Sequence, residues 1–98
     1  MQAWRFRDGP IGRVGLVCGG GGLTPDVREA SEKGCDTYIT GEKVLYTIEY
    51  AKFMGMNLIV GSHTFTEVFG IESLAERVKR RFGDIEIVRL TEDHLEAR

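Results

Sequence analysis

The chain has 98 residues, of which 42% are hydrophobic and 29% charged, and carries a formal net charge of -2 at neutral pH. That makes one domain, residues 1–98, with enough apolar material for a core, and its acidity leaves no electrostatic footprint for nucleic acid. The apolar runs are too short to cross a bilayer, and Met1 to Gly12 has polar residues where a signal peptide needs an apolar stretch, so a cytoplasmic protein is expected.

Met1 to Phe6 alternates loosely and Asp8-Gly9-Pro10 signals a turn, which suggests an edge strand folding back on the next one. Arg13 to Cys18 reads as a short strand that stops at four consecutive glycines, Gly19, Gly20, Gly21 and Gly22. Thr24-Pro25-Asp26 then opens a helix, with an N-cap hydroxyl, a proline at the first helical position and an acid in the first turn; Gly34 closes it. Asp36 to Thr40 is the next strand, followed by Gly41-Glu42.

The helix expected over Lys43 to Met54 is apolar on two faces. Val44, Leu45, Ile48 and Ala51 form a core stripe, while Tyr46, Tyr50 and Phe53 form a second one that a partner subunit would cover. Asn57 to Val60 is a further strand, and a helix from His63 to about Phe82 follows, with Ile71, Leu74, Ala75, Val78 and Phe82 at core spacing and a kink or restart at Gly70. Arg77, Lys79, Arg80 and Arg81 fall where a helix C-terminus favours cations. Ile85 to Leu90 alternates as a last, half-exposed strand, and residues 91–98 form a charged tail. Cys18 and Cys35, seventeen positions apart, match no metal-ligand spacing and read as buried thiols.

Strands alternating with helices define an α/β domain of βαβαβαβ type, in two or three layers. Its sheet should be largely parallel, with a possible antiparallel edge strand at the N-terminus. In such sheets the ligand site lies beyond the carboxyl ends of the strands. Three of those ends carry distinctive residues: the tetraglycine, Gly41-Glu42 and Ser62-His63. His63 and Glu67, four apart at a helix start, can reach one point, either each other or a shared metal ion; the same spacing also describes a helix-start histidine and a glutamate beside the helix dipole. Glu42 reads equally as a functional acid or a helix N-cap. The four glycines can expose N–H groups to a phosphate, or make a tight packing turn; the lysine of a P-loop is missing. His94 reads as a solvated surface residue.

The order V-C-G-G-G-G, D-T-Y-I-T-G-E and N-L-I-x-G-S-H-T-F-T-E-x-x-G, over about Ile11 to Val88, resembles the C-terminal half of the NGG-one-interacting-factor-three family, also labelled GTP cyclohydrolase I type two homologue. The resemblance implies a dinuclear metal centre to which His63 and Glu67 would contribute, a cleft lined by Glu42, and ring-shaped homo-oligomers. Family members are commonly more than twice this length, and their remaining ligands, a histidine pair and an aspartate, come from an N-terminal half. A histidine usual shortly after the T-G-[DE] motif is replaced here by Val44, Leu45 and Tyr46. The chain therefore reads as a fragment, half of a split protein, or a relative with one weak site.

The expected function is that of a divalent-metal-binding domain, the ion being zinc, manganese or iron. It would form part of a metal-dependent hydrolase acting on a phosphorylated or nucleotide-like substrate, with Glu42 orienting that substrate or moving protons. A non-catalytic metal-binding or oligomeric module, and an anion binder using Gly19 to Gly22 alone, are the alternatives.

Overall fold

In the computed structural model, residues 1–90 are described. Seven elements follow in order: β1 (Gln2–Trp4), β2 (Val14–Val17), α1 (Thr24–Glu32), β3 (Thr37–Thr40), α2 (Leu45–Phe53), β4 (Asn57–Val60) and α3 (His63–Arg81). The tail expected at 91–98, with His94, lies outside the described residues. The strands form one sheet in the order β1-β4-β3-β2, in which β2, β3 and β4 run parallel and β1 is antiparallel to β4. This is an α/β fold with a largely parallel sheet and an antiparallel N-terminal edge strand.

β1 does not fold back on β2, which lies at the opposite edge of the sheet; it pairs with β4 instead, Ala3 opposite Ile59. The buried Asn57 favours this arrangement. Its Oδ1 accepts hydrogen bonds from the backbone N–H groups of Phe6 (3.0 Å) and Arg7 (3.1 Å), holding the chain where it leaves β1.

The core lies between one face of the sheet and the two crossover helices. Val27 and Ala30 of α1 and Ala51 of α2 meet Tyr38, Leu58 and Val60 from the strands, with Met56 beside them. The second sheet face is left open, because side chains alternate along a strand. Register puts Leu16, Ile39 and Ile59 side by side there, with Leu16 62% exposed. Among the described residues the domain therefore has two layers.

Several expectations are corrected. Leu23, not Thr24, is the N-cap of α1, and no side chain caps that helix; Thr24 and Pro25 fall inside its first turn. α2 begins at Leu45 after the N-cap Val44, so Glu42 is not its cap. Of the stripe expected in its core, Val44 and Leu45 are exposed, Leu45 by 74%, while Thr47 and Ala51 are buried and Ile48 is half-buried. Facing the sheet at Thr47 satisfies more polar groups than burying Leu45 would: the Thr47 hydroxyl donates to the Gly22 carbonyl (2.7 Å) and accepts from the Val44 N–H (3.1 Å). On the other stripe, Tyr46 and Phe53 are exposed and Tyr50 leans on the core with its ring stacked on Phe53.

α3 buries none of its side chains. Ile71, Leu74 and Phe82, expected in the core, are more than half exposed, and the molecule measures 52 Å along its longest axis against 28 and 23 Å. Gly70 does not interrupt the helix, which runs through it from His63 to Arg81. Residues 85–90 are not a strand; Arg89 instead forms an ion pair with Glu72 on α3 at 2.5 Å. Alternation alone cannot make a strand without a sheet edge to pair with. Cys18 is exposed and Cys35 half-buried, so neither is the buried thiol expected, because the chain leaves the sheet at Cys18.

Candidate functional site

The parallel strands deliver their three distinctive ends to one edge and bind them together there. Gly41 N–H donates to the Gly19 carbonyl (3.1 Å), and Gly61 N–H donates to the Thr40 carbonyl (2.9 Å). The fit at Gly41 is tight enough to exclude any side chain. A β-carbon there would lie 2.6 Å from each of three oxygens: the Gly19 carbonyl, the Ser62 carbonyl and the Thr66 hydroxyl.

α3 starts at this junction because Ser62, extended and buried, accepts from the Phe65 N–H through its Oγ (2.9 Å), satisfying one of the helix's orphan donors. Thr66, one turn on, donates to the Ser62 carbonyl (2.7 Å) and accepts from the Gly19 N–H (2.8 Å). The sequence reading missed Thr66. Its signal was available, since i+4 spacing from the N-cap places a hydroxyl on the side facing the turn.

The same helical turn presents His63 and Glu67. His63 Nδ1 stands 2.5 Å from Glu42 Oε1, and His63 Nε2 stands 3.4 Å from Glu67 Oε1. One imidazole thus lies between two carboxylates, one from the β3 end and one from its own helix. All three side chains are about half exposed. Gly19, in the left-handed region at φ 65°, lies against the far side: a β-carbon there would overlap Glu67 Oε1 and approach His63 Nε2 to 3.2 Å.

The glycine turn is brought to the same place, and packing accounts for much of its composition. A β-carbon on Gly21 would meet Thr40 Oγ1 at 2.5 Å, and one on Gly22 would meet the Glu42 carbonyl at 2.8 Å. The Gly21 carbonyl accepts from the buried Tyr38 hydroxyl (2.5 Å). Gly20 is exposed, and a β-carbon on it would make only ordinary contacts, with Glu42 Oε2 at 3.6 Å and His63 Cε1 at 3.9 Å. Two hollows flank the cluster. One of about 290 Å³ is lined by His63, Thr64, Glu67, Val68 and Ile71. A smaller one of about 90 Å³ includes Gly20, Gly22, Glu42, Lys43 and Tyr46. A larger hollow of about 330 Å³, between β2 and α1, contains none of the expected site residues.

The donor set fits part of a metal shell. Imidazole nitrogen and carboxylate oxygen suit zinc and similar ions, and two donors bonded to one tetrahedral ion at 2.0–2.2 Å lie roughly 3.4 Å apart. The His63–Glu67 pair has that separation. Glu42 is on the opposite nitrogen and is not a third ligand. Among the described residues, no group of three or more His, Cys, Asp or Glu is arranged to hold a metal ion. Two donors are fewer than the three that catalytic zinc sites take from protein.

The fold and this cluster define an α/β domain with a histidine–carboxylate site at the carboxyl edge of its parallel strands. The chain belongs to the Duf34/NIF3 (NGG1p interacting factor 3) family, whose sequence model matches residues 1–94. It is 38% identical over 84 residues to a GTP cyclohydrolase 1 type 2 homolog of Haemophilus influenzae, covering 83% of this chain and 33% of that protein. To the protein of the same description in Deinococcus radiodurans it is 38% identical over 73 residues, covering 74% of this chain and 27% of the other. Among solved structures, a Bacillus cereus protein related to NIF3 is similar with a TM-score of 0.61 and 25% identity, over 82% of this chain and 23% of that one. Reduced HcgD from Methanocaldococcus jannaschii shares the fold, with a TM-score of 0.61 and 24% identity over 68% of this chain and 27% of its own. The chain spans about a third of the length of the curated relatives it matches. Among the described residues, no helix is long and apolar enough to cross a membrane.

Proposed function

We propose that the chain carries part of a divalent-metal site, with His63 Nε2 and Glu67 Oε1 as its ligands, in a cytoplasmic metal-dependent hydrolase acting on a phosphorylated or nucleotide-like substrate. The observation that supports this reading is the 3.4 Å separation of those two donors at the strand-end edge. The chemistry such an ion supplies when bound is Lewis-acid polarisation of a substrate oxygen and a lowered pKa for a bound water.

The chain's own residues supply placement. Ser62 and Thr66 fix the first turn of α3 against the glycine turn, so that His63 and Glu67 are held on a rigid junction. Gly19 leaves room for the Glu67 carboxylate. The remaining donors must come from another segment or subunit, since two ligands leave a zinc, manganese or iron shell unfilled. The apolar residues that α3 leaves exposed support an assembled state, which we propose to be a homo-oligomer. A strict monomer in light scattering, with Tyr46 and Phe53 open to solvent, contradicts that.

Isothermal titration of zinc and of manganese into the purified chain tests the metal site. Wild type should bind and His63→Ala should lose that binding; negligible or equal binding in both removes the site. A second reading, an anion at the Gly19 to Gly22 turn, is favoured by the small hollow that places Lys43 beside Gly20 and Gly22. It predicts that inorganic phosphate, with no metal present, shifts the amide resonances of Gly20 to Leu23.

A further inference from the structure

We infer that Glu42 is a positioning residue for His63: by accepting a hydrogen bond from Nδ1–H it sets the imidazole tautomer and ring orientation that turn Nε2 toward Glu67. The inference rests on the metal reading above for its consequence, but not for its geometry. The two ring nitrogens are treated differently. Nδ1 to Glu42 is 2.5 Å, a charge-assisted bond, whereas Nε2 to Glu67 is 3.4 Å, longer than an ordinary ring N–H···O bond. The short contact places an N–H on Nδ1, donating to the Glu42 carboxylate. Nε2, facing Glu67 across the ring, is the nitrogen through which the neutral imidazole would ligate an ion.

Glu42 is well placed for this task because its backbone is fixed from both sides. Gly41 before it is enclosed by the Gly19 and Ser62 carbonyls and the Thr66 hydroxyl, and the Glu42 carbonyl itself lies against Gly22. The carboxylate therefore comes from the rigid end of β3, while the imidazole comes from the first residue of α3. With side chains about half exposed, such a pair adds little to folding stability. Its effect falls on the ring. A carboxylate on the far nitrogen of a ligating histidine raises the basicity of the near one and removes rotational freedom, and losing it typically weakens metal affinity 10–100-fold. Glu42 thus acts through His63 rather than on substrate, a different task from the one expected from sequence.

The test uses the whole chain in two measurements. Long-range ¹H–¹⁵N spectra of the metal-free protein, with the His63 signals assigned by their loss in His63→Ala, should show Nδ1 protonated in wild type. Glu42→Ala should move His63 toward a mixture of tautomers, while Glu42→Gln, whose amide oxygen still accepts, should keep the wild-type tautomer. In zinc titrations Glu42→Ala should bind about 10–100-fold more weakly than wild type, with Glu42→Gln recovering most of the loss. An unchanged tautomer and unchanged zinc affinity in a folded Glu42→Ala overturn the inference. If His63→Ala binds zinc like wild type, the metal reading fails, and the tautomer spectra still decide what Glu42 does to the ring.

Discussion

Gly19 and Glu67 are in contact across the site: a β-carbon on Gly19 would overlap Glu67 Oε1 and come within 2.7 Å of its Cδ. A turn residue thereby limits where a helix carboxylate can sit. Gly19 also needs its positive φ of 65°, which costs an L-residue roughly 1–2 kcal/mol. Gly19→Ala should lose about that much stability in urea denaturation and also weaken zinc binding by displacing Glu67. Gly20→Ala, with 3.6 Å to its nearest neighbour and no positive φ, should change stability far less.

Gly41 and Gly70 make an opposed pair. At Gly41 a β-carbon meets two backbone carbonyls and a hydroxyl at 2.6 Å, and backbone cannot rotate aside. Gly41→Ala should cost about 3 kcal/mol or more and broaden the whole amide spectrum. Gly70 lies in a continuous helix with nothing within 4 Å of an added β-carbon, so Gly70→Ala should stabilise by up to about 1 kcal/mol. Thermal melts followed by circular dichroism report both signs.

Tyr38 ties the core to the glycine turn through its hydroxyl on the Gly21 carbonyl. Burial, with the nearby Asp26 charge, pushes its pKa up to about 12 from an ordinary 10.0. The folded state therefore holds this proton more tightly than the unfolded chain. The resulting contribution to stability is fully present below pH 10 and is lost as pH rises from about 10 to 12. Denaturation curves across that range should fall for wild type and be flatter for Tyr38→Phe, which should also cost about 1 kcal/mol at neutral pH for the lost hydrogen bond.

Ser62 and Thr24 look alike as helix-opening hydroxyls, and only one of them caps. Ser62→Ala should cost about 1 kcal/mol, since its Oγ accepts the Phe65 N–H at 2.9 Å. Thr24→Ala should cost only a few tenths, because α1 has no side-chain cap. Paired melts of the two variants separate these outcomes.

Much of the fold was legible because its signals are local. Asn57 to Val60 is a strand with the bounds read from its apolar run, and Gly41 and the tetraglycine sit where the strands end. The parallel arrangement then brings Gly19, Gly20, Glu42, His63 and Glu67 to one edge, as the topological rule requires. What local pattern could not tell was which surfaces find a partner. Leu45, Ile71, Leu74 and Phe82 have core spacing but are exposed, since spacing shows that a helix has an apolar face and not what lies opposite. Likewise Ile85 to Leu90 alternates like a strand and pairs with none. The direction in which Glu42 points was equally hidden. It depends on how β3 and α3 meet, twenty-one residues apart in the chain.

The most direct measurement is anomalous diffraction from a crystal of the chain grown with zinc. A single peak is expected within about 2.0–2.2 Å of both His63 Nε2 and Glu67 Oε1, with Glu42 still on Nδ1. Zinc bound elsewhere, or none, with His63 and Glu67 ordered and apart, would contradict the proposed site.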